Sequence, residues 1–207
     1  MSSGPPDAEG LAPLPRRSAY SQGMNKRVVV PLVDGVEEME AVIVIDVLRR
    51  AGLEVLVAGL DGPGPVRASR GVTLLADVSW TEAMEQPADA LVLPGGLGGM
   101  EGLRADERVL LAVRDLLERG RLVAAVCAAP LVLARAGVAV GRQMTCHPSV
   151  REELLAAGAI GSEARVVQDG TILTSLGPGS SVEFALAVAG ALVGPDRALE
   201  VSRAMCV

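Results

Sequence analysis

Residues 27–59, RVVVPLVDGVEEMEAVIVIDVLRRAGLEVLVAG, contain the pattern that decides the fold. They begin with a short aliphatic run at 27–33 and end with a second one at 53–59, and such runs are typical of buried strands. Between them, residues 37–52 have apolar positions at helical spacing and close on Gly52, a residue type that often ends a helix. The stretch therefore predicts a strand, a helix and a second strand. Because both strands are almost wholly aliphatic, we expect a parallel sheet that is covered on both faces.

The same alternation of strands and helices continues along the chain. A β-ribbon is predicted at 66–77, further strands at 88–96, 121–126 and 164–175, and further helices near 104–119, 130–136, 149–157 and 181–193. Ser180 and Glu183 are expected to form a capping box at the start of the last of these helices. The predicted fold class is α/β, with a mostly parallel sheet, helices on both faces and a small β-ribbon.

The first 23 residues differ from the rest of the chain. They are rich in Pro, Gly and Ser and show no periodic apolar pattern, so we interpret 1–23 as a disordered N-terminal extension. Residues 24–207 are interpreted as one α/β domain, a size that a single core can support. No stretch approaches the roughly 20 apolar residues of a membrane span, so no membrane partner is expected.

The net charge, the aromatic content and the cysteine spacing indicate which partners and which cellular compartment to expect. The net charge is −6, and the aromatic residues are only Tyr20, Trp80 and Phe184. Nucleic-acid binding needs clustered basic residues and aromatic platforms, so no nucleic acid is expected and a small-molecule substrate is favoured. The three cysteines form neither a CxxC motif nor an even-numbered framework. We therefore expect no disulfide scaffold, no metal site, and a reducing, cytoplasmic location.

Cys127 is the first candidate for chemistry. In VAAVCAAP (123–130) it follows a predicted strand, precedes a predicted helix and has small neighbours. A sharp strand-to-helix turn of this kind presents a nucleophile at the end of a sheet. A buried cysteine that only fills a tight corner would give the same local pattern, since free cysteine often acts as a small apolar residue.

Glu40 and His147 are the candidates for proton transfer. Glu40 lies among apolar residues of the first helix, where burial would raise its pKa. A protonated carboxyl there would lower the pKa of a neighbouring thiol by donating a hydrogen bond to the thiolate. His147 is the only histidine, and Pro148 places it in a loop at the head of a helix. Taken alone, Glu40 could equally be a solvated helix residue and His147 a surface or capping residue.

The glycine-rich stretch PGGLGGMEG (94–102) follows another predicted strand. It is neither a dinucleotide-binding nor a phosphate-binding loop, because GxGxxG would need glycine in place of Glu101 and no GxxxxGK[ST] occurs. Its glycines can instead let backbone N–H groups approach a ligand that develops negative charge. We predict a backbone-amide pocket here, in the crevice where open α/β sheets bind their ligands.

Taken in order, these motifs resemble the ThiJ/PfpI superfamily, in the branch of the parkinsonism-associated protein deglycase and its bacterial relatives. The resemblance rests on DGVEEMEAVIVIDVLRRAG, ASRGVTLLAD, LVLPGG, VAAVCAAP, TCHP and ILTSLGPGSSVEFALA, and it extends from about residue 26 to residue 204. It implies a flavodoxin-like three-layer sandwich and a homodimer. The first helix is apolar on nearly every side and needs cover on more than one face, which also favours a dimer.

The resemblance further implies a cofactor-independent enzyme. Cys127 would be the nucleophile, Glu40 the carboxylic acid hydrogen-bonded to its sulfur, and His147 a nearby imidazole. The expected activity is that of a glutathione-independent glyoxalase (a lyase) or protein deglycase (a hydrolase), acting on methylglyoxal, glyoxal and their early glycation adducts through a hemithioacetal. The alternative is a redox-sensing, stress-protective protein or chaperone whose Cys127 is oxidised to a sulfinic acid. A peptidase is a weaker third reading, because the peptidase members carry histidine where Ala128 stands.

The binding residues also follow from the resemblance. Backbone N–H groups of Gly96 and Ala128, with Gly95 beside them, would form the oxyanion pocket. Arg49 or Arg50 of a partner subunit would approach the site.

The sequence departs from the family's pattern at three positions. Ala129 stands where glycine is usual after the elbow, which would tighten the pocket. Leu176 and Leu75 replace a basic residue and a peripheral redox cysteine, so anion binding and secondary oxidation are not expected. Since the chain ends soon after residue 204, we also expect a more open mouth to the site.

Overall fold

The computed structural model describes residues 26–207, so the predicted extension 1–23 lies outside the described residues. The described part contains eleven strands and eight α-helices. The strands are β1 (Arg27–Leu32), β2 (Glu54–Gly59), β3 (Gly64–Arg67), β4 (Thr73–Ala76), β5 (Val78–Ser79), β6 (Ala90–Leu93), β7 (Leu122–Val126), β8 (Gln143–Met144), β9 (Ile160–Gly161), β10 (Val166–Asp169) and β11 (Ile172–Ser175). The helices are α1 (Glu38–Arg50), α2 (Trp80–Met84), α3 (Leu97–Ala105), α4 (Glu107–Glu118), α5 (Pro130–Arg135), α6 (Arg151–Ala156), α7 (Ser181–Val193) and α8 (Pro195–Ala204).

Seven strands form the main sheet, in the order β10–β11–β7–β6–β1–β2–β5. Neighbouring strands are parallel except β10 and β11, which form an antiparallel hairpin at one edge. β3 and β4 form the separate antiparallel ribbon that the sequence predicted, and β8 and β9 form a short parallel pair. The strand order places the carboxyl ends of β11, β7, β6 and β1 side by side.

Successive residues of the central strands belong to cores on opposite faces of the sheet. Val28 and Val30 of β1 cluster with buried residues of α1, α7 and α8. Val29 of β1, with Leu91 and Leu93 of β6, clusters with residues of α2, α3, α4, α5 and α6. Helices therefore cover both faces, which is why these strands are aliphatic throughout rather than alternating with polar residues. The predicted α/β sandwich is confirmed. Within residues 26–207, no helix has both the length and the apolar composition needed to cross a membrane.

The first helix ends at the glycine that the sequence indicated. Gly52 has φ +87, and the N–H groups of Gly52 and Leu53 donate to the carbonyls of Arg49 and Leu48. This is the Schellman arrangement, which uses a left-handed residue to satisfy the last carbonyls of a helix. It turns the chain from α1 directly into β2.

The glycine-rich stretch differs from the prediction. Most of it is helical, because α3 begins seven residues before the predicted helix 104–119, and that helix is divided at Asp106 into α3 and α4. A Cβ on Gly99 would lie 2.7 Å from the Cα of Val36, and one on Gly98 would lie 3.2 Å from the Cα of Gly35. Backbone packs against backbone here, and this tertiary contact supports a helix that its glycines alone would disfavour.

The predicted capping box at Ser180 and Glu183 is wrong. The Ser180 hydroxyl donates to the carbonyl of Gly177 at 2.9 Å, while Glu183 pairs with Arg165 at 2.9 Å. The box is found instead at the start of α2, where Ser79 is the N-cap. Neither α2 nor α8 was predicted from the sequence.

Gly52→Ala should lower the free energy of unfolding by about 1 kcal/mol, because a Cβ is strained at a positive φ even in open space. No atom lies within 4 Å of the Cβ position at Gly52. The matched change Gly190→Ala, inside α7, should raise the free energy of unfolding by about 0.5–1 kcal/mol, since alanine favours a helix. Its Cβ would meet Ala198 at an ordinary 3.7 Å. Urea denaturation measures both effects, and equal losses at the two positions would contradict the backbone explanation.

Candidate active site

The candidate site lies at the carboxyl ends of four neighbouring strands. Glu40 is in the first turn of α1, which follows β1, while Gly95 and Gly96 follow β6. Cys127 follows β7, and Gly177 follows β11. Because neighbouring parallel strands end at the same edge of a sheet, the fold brings these distant positions together.

Cys127 occupies a strained backbone position. Its φ is +63, and Cys206 is the only other non-glycine residue with a positive φ in the described part of the chain. Such a conformation costs about 1–3 kcal/mol and persists only where its surroundings hold it. Here the Cys127 N–H donates to the Ser175 carbonyl at 2.9 Å, and the Cys127 carbonyl accepts from the His147 N–H at 2.8 Å. The expected strand-to-helix elbow is present, with a half-buried thiol.

Hydrogen-bonding groups surround the sulfur of Cys127. The backbone N–H groups of Gly96 and Ala128 and the carboxyl of Glu40 lie close enough to the sulfur to shift the pKa of the thiol. Glu40 itself is fully buried, and its Oε2 accepts from the Gly95 N–H at 2.7 Å. Among residues 26–207, its Oε1 has no hydrogen-bond partner. Because a buried charged oxygen without a partner is costly, this burial favours the neutral carboxyl.

This contact links the titrations of Glu40 and Cys127. Burial raises the pKa of Glu40 to about 7. Burial, and then the negative charge of Glu40, raise the pKa of Cys127 to about 12, while the N–H groups of Gly96 and Ala128 act in the opposite direction. Between about pH 7 and pH 12 the pair therefore holds one proton and one negative charge. The proton can move between sulfur and carboxyl without leaving the site.

The expectation that a protonated Glu40 lowers the pKa of the thiol stays a prediction, because the raised pKa of Cys127 reflects burial and the charge of an ionised Glu40. A protonated Glu40 would stabilise the thiolate, but an ionised Glu40 at the same buried position repels it. Burial also disfavours a charge on either group. Glu40 is therefore placed to exchange a proton with the thiol of Cys127.

The backbone around this pair leaves no room for side chains. A Cβ on Gly95 would lie 2.6 Å from the Cβ of Cys127 and 2.7 Å from Oε2 of Glu40. A Cβ on Gly96, where φ is +85, would lie 2.3 Å from the carbonyl oxygen of Gly35. Only glycine at both positions lets the N–H groups approach the carboxyl and the sulfur.

His147 lies beside the thiol. It is half-buried and caps a 3₁₀ turn, Pro148–Val150. Its Cδ2 is 3.5 Å from the point that a Cβ on Gly177 would occupy, and the sulfur of Cys127 is 3.9 Å from the same point. The structure thus brings all three candidates, Cys127, Glu40 and His147, to one site.

Gly177 is held by hydrogen bonds to buried hydroxyl groups, and these hydroxyls were not predicted from the sequence. The hydroxyl of Ser180 lies 2.7 Å from that of Ser175. It accepts a hydrogen bond from the Gly177 N–H at 3.1 Å and donates one to the Gly177 carbonyl at 2.9 Å. The Ser181 hydroxyl donates to the same carbonyl at 3.3 Å. The only signal in the sequence was the serine pair that follows GPG directly after a buried strand.

The arginines expected to serve a partner lie at the opposite end of α1 from Glu40. Arg49 pairs with Asp77 at 2.8 Å, and Arg50 pairs with Asp46 at 2.7 Å. All four side chains are about half exposed. Their approach to a partner's site stays a prediction.

One cavity lies away from this site. A cavity of about 500 Å³ is lined by residues around Ala88 and Arg121, at the amino ends of β6 and β7 and so on the edge of the sheet opposite the thiol. In the described residues, no three His, Cys, Asp or Glu side chains are grouped so that they could hold a metal ion.

Comparison with known proteins places this arrangement in a family. The DJ-1/PfpI family matches residues 26–191. Protein dj-1beta of Drosophila melanogaster is 43% identical over 184 residues, covering 89% of this chain and 98% of the relative. The crystal structure of that protein superimposes with a TM-score of 0.86, covering 89% of this chain and 99% of the other. The Parkinson disease protein 7 homolog of Danio rerio is 44% identical, covering 85% and 94% of the two chains. The glutathione-independent glyoxalase DJR-1.2 of Caenorhabditis elegans is 32% identical, covering 83% and 90%.

Glu40→Gln should stabilise the protein increasingly as the pH rises. Because burial raises the pKa of Glu40 from 4.5 to about 7, the stabilising contribution of the protonated carboxyl is complete below about pH 4.5 and is lost as the pH rises through about 7. The amide cannot ionise. The difference in the free energy of unfolding, variant minus wild type, should therefore grow by about 3 kcal/mol between pH 4.5 and pH 7.5. Urea denaturation at a series of pH values measures it, and a constant difference would contradict the raised pKa.

Proposed function

This chain belongs to the DJ-1/PfpI family, and from this premise we propose that it is a cofactor-independent glyoxalase and deglycase. Its substrates are methylglyoxal, glyoxal and their early glycation adducts on cysteine, lysine and arginine. The observation that carries the proposal is the Cys127 thiol in contact with Glu40, a carboxyl with a pKa of about 7, beneath two backbone N–H donors. The relative that bears the name glutathione-independent glyoxalase supports the same class of reaction.

The first step forms a bond between the sulfur of Cys127 and the aldehyde carbon of methylglyoxal. Glu40 accepts the thiol proton as the sulfur attacks, and the electron pair of the C=O bond moves to the aldehyde oxygen. The N–H groups of Gly96 and Ala128, which lower the pKa of the thiol, would stabilise the negative charge on that oxygen. The oxygen then takes the proton from Glu40, which gives a neutral hemithioacetal and an ionised carboxyl.

The second step moves a proton between the two substrate carbons. The Glu40 carboxylate removes the proton from the former aldehyde carbon and returns it to the neighbouring carbon, while the hydroxyl proton moves to the oxygen of that neighbouring carbon, which leaves a lactoyl thioester on Cys127. Water then adds to the thioester, the C–S bond breaks, and lactate and the thiol are released. Methylglyoxal and water together have the composition of lactic acid, so no external oxidant or reductant is needed. Glyoxal would give glycolate by the same route.

Cys127→Ala should lower kcat/KM for lactate formation by at least about 1000-fold, because no nucleophile remains. Glu40→Gln should lower it about 100-fold, because the proton shuttle is lost. In the wild type, kcat/KM should rise with pH through about 7 as Glu40 loses its proton, and Glu40→Gln should lack this inflection. Steady-state lactate assays across pH measure both effects.

The control for these assays is Cys206→Ala, which removes an exposed thiol and should behave as the wild type. Wild-type turnover by Cys127→Ala would contradict the mechanism.

A second function uses the same pair of side chains. A protonated Glu40 could donate to an oxygen of a Cys127 sulfinate, with hydrogen peroxide as the oxidant, and the protein would then act as a redox sensor. The Oε1 atom of Glu40, which is buried and has no hydrogen-bond partner in the described residues, favours this alternative. Mass spectrometry after graded peroxide, beside the lactate assay, separates the two functions. Selective addition of two oxygens to Cys127 without any lactate formation would favour the sensor.

We also propose that the protein is a homodimer. On α1, Met39 is 54% exposed and Val42 is 48% exposed, although both side chains are apolar. The β3–β4 ribbon, which packs against the same helix, exposes Val72 and Leu75. A second copy that covers this face would remove all four side chains from water.

Met39→Glu should convert the dimer to a monomer, because a carboxylate cannot be buried at the interface without a partner. Leu111→Glu is the matched control, since Leu111 is similarly exposed, at 56%, but lies on α4 at the other face of the sheet. Sedimentation velocity distinguishes the two states. A monomeric wild type, or dimers of both variants, would exclude this interface.

A further inference from the structure

The single histidine of the chain is held at Nδ1 by a residue two positions later. The backbone N–H of Ser149 donates to Nδ1 of His147 at 3.2 Å, and the Ser149 hydroxyl lies 2.8 Å from the same nitrogen. A backbone N–H can only donate, so Nδ1 must offer its lone pair. A proton on Nδ1 would point at the proton of the Ser149 N–H. The neutral ring therefore carries its proton on Nε2, and the Ser149 hydroxyl is free to donate to Nδ1.

The ring atom Cδ2, which is bonded to Nε2, packs beside Gly177. It is 3.5 Å from the point that a Cβ on Gly177 would occupy, and the sulfur of Cys127 is 3.9 Å from the same point. The His147 N–H donates to the Cys127 carbonyl at 2.8 Å, which ties the backbone of His147 to the elbow. A substrate bonded to the sulfur would thus have this edge of the ring, as well as the Glu40 carboxyl, as a neighbour.

We propose that Ser149 is a positioning residue that keeps the proton of His147 on Nε2, so that His147 binds the second carbonyl oxygen of the substrate as a hydrogen-bond donor and is not the base. This role rests on the proposed function. When Glu40 removes the proton from the first carbon, negative charge develops on the oxygen of the second carbon. A fixed N–H donor at that oxygen stabilises the charge. The substrate class is therefore 1,2-dicarbonyls, because a simple aldehyde has no second oxygen to occupy the donor.

Nitrogen NMR of the ¹⁵N-histidine-labelled protein tests the tautomer without any turnover. A single histidine gives one pair of ring signals, and under alkaline conditions an imidazole is neutral. We expect Nε2 to be protonated and Nδ1 not, both in the wild type and in Ser149→Ala, because the variant keeps the backbone N–H that donates to Nδ1. A ring protonated on Nδ1 in either protein would overturn the role of the Ser149 backbone.

Two substitutions at His147 test the donor role in the lactate assay. His147→Gln retains an N–H donor but cannot act as a base, whereas His147→Phe retains only the ring shape. We expect kcat/KM for methylglyoxal to stay within about tenfold of wild type in the Gln variant and to fall about 100-fold in the Phe variant, mainly through kcat. Equal losses in both variants would overturn the donor role. If the wild type makes no lactate, the proposed function itself fails, whereas a wrong tautomer overturns this inference alone.

Discussion

A thiol and a carboxyl that pack together away from water can hold only one negative charge between them near neutral pH. Cys127 and Glu40 form such a pair, and backbone N–H groups of Gly95, Gly96 and Ala128 are the donors that stabilise its charge. At Gly95 and Gly96 the main chain comes closer to its neighbours than a Cβ would allow. The need to stabilise one shared charge with backbone N–H groups therefore restricts which residues can occupy the loop after β6.

The strain at Cys127 depends on the order of the strands. Its N–H is held by the carbonyl of Ser175, at the end of β11, because β11 lies next to β7 in the sheet. The chain after Ser175 leads to Gly177, which packs beside His147 and whose N–H donates to the hydroxyl of Ser180. The strand β11 thus supports both the backbone of Cys127 and the residue that packs against the imidazole.

The first helix connects the site to the molecular surface. Its first turn places Glu40 in the interior, with none of its surface exposed, while the preceding residue, Met39, is 54% exposed. The carboxylate of Glu37 accepts from the Glu40 N–H at 2.8 Å, and the carboxylate of Glu38 is bonded to the backbone of Arg70 beside the ribbon. Glu37 and Glu38 thus hold the first turn of α1 in place, and this turn carries the buried carboxyl of Glu40. A partner that covers the exposed face would hold the same turn.

The sequence by itself determined the alternation of strands and helices, the turn at Gly52, and which residue types could do chemistry. These features are local, because periodicity, glycine and a strand-to-helix junction can be recognised within a few residues. Only the tertiary structure decided that a glycine-rich stretch becomes α3, that Ser180 supports Gly177 instead of capping α7, and that the thiol of Cys127 resists ionisation beside Glu40. Each of these depends on atoms more than two residues apart that only folding brings into contact, and on the removal of water between them. No local pattern contains that information.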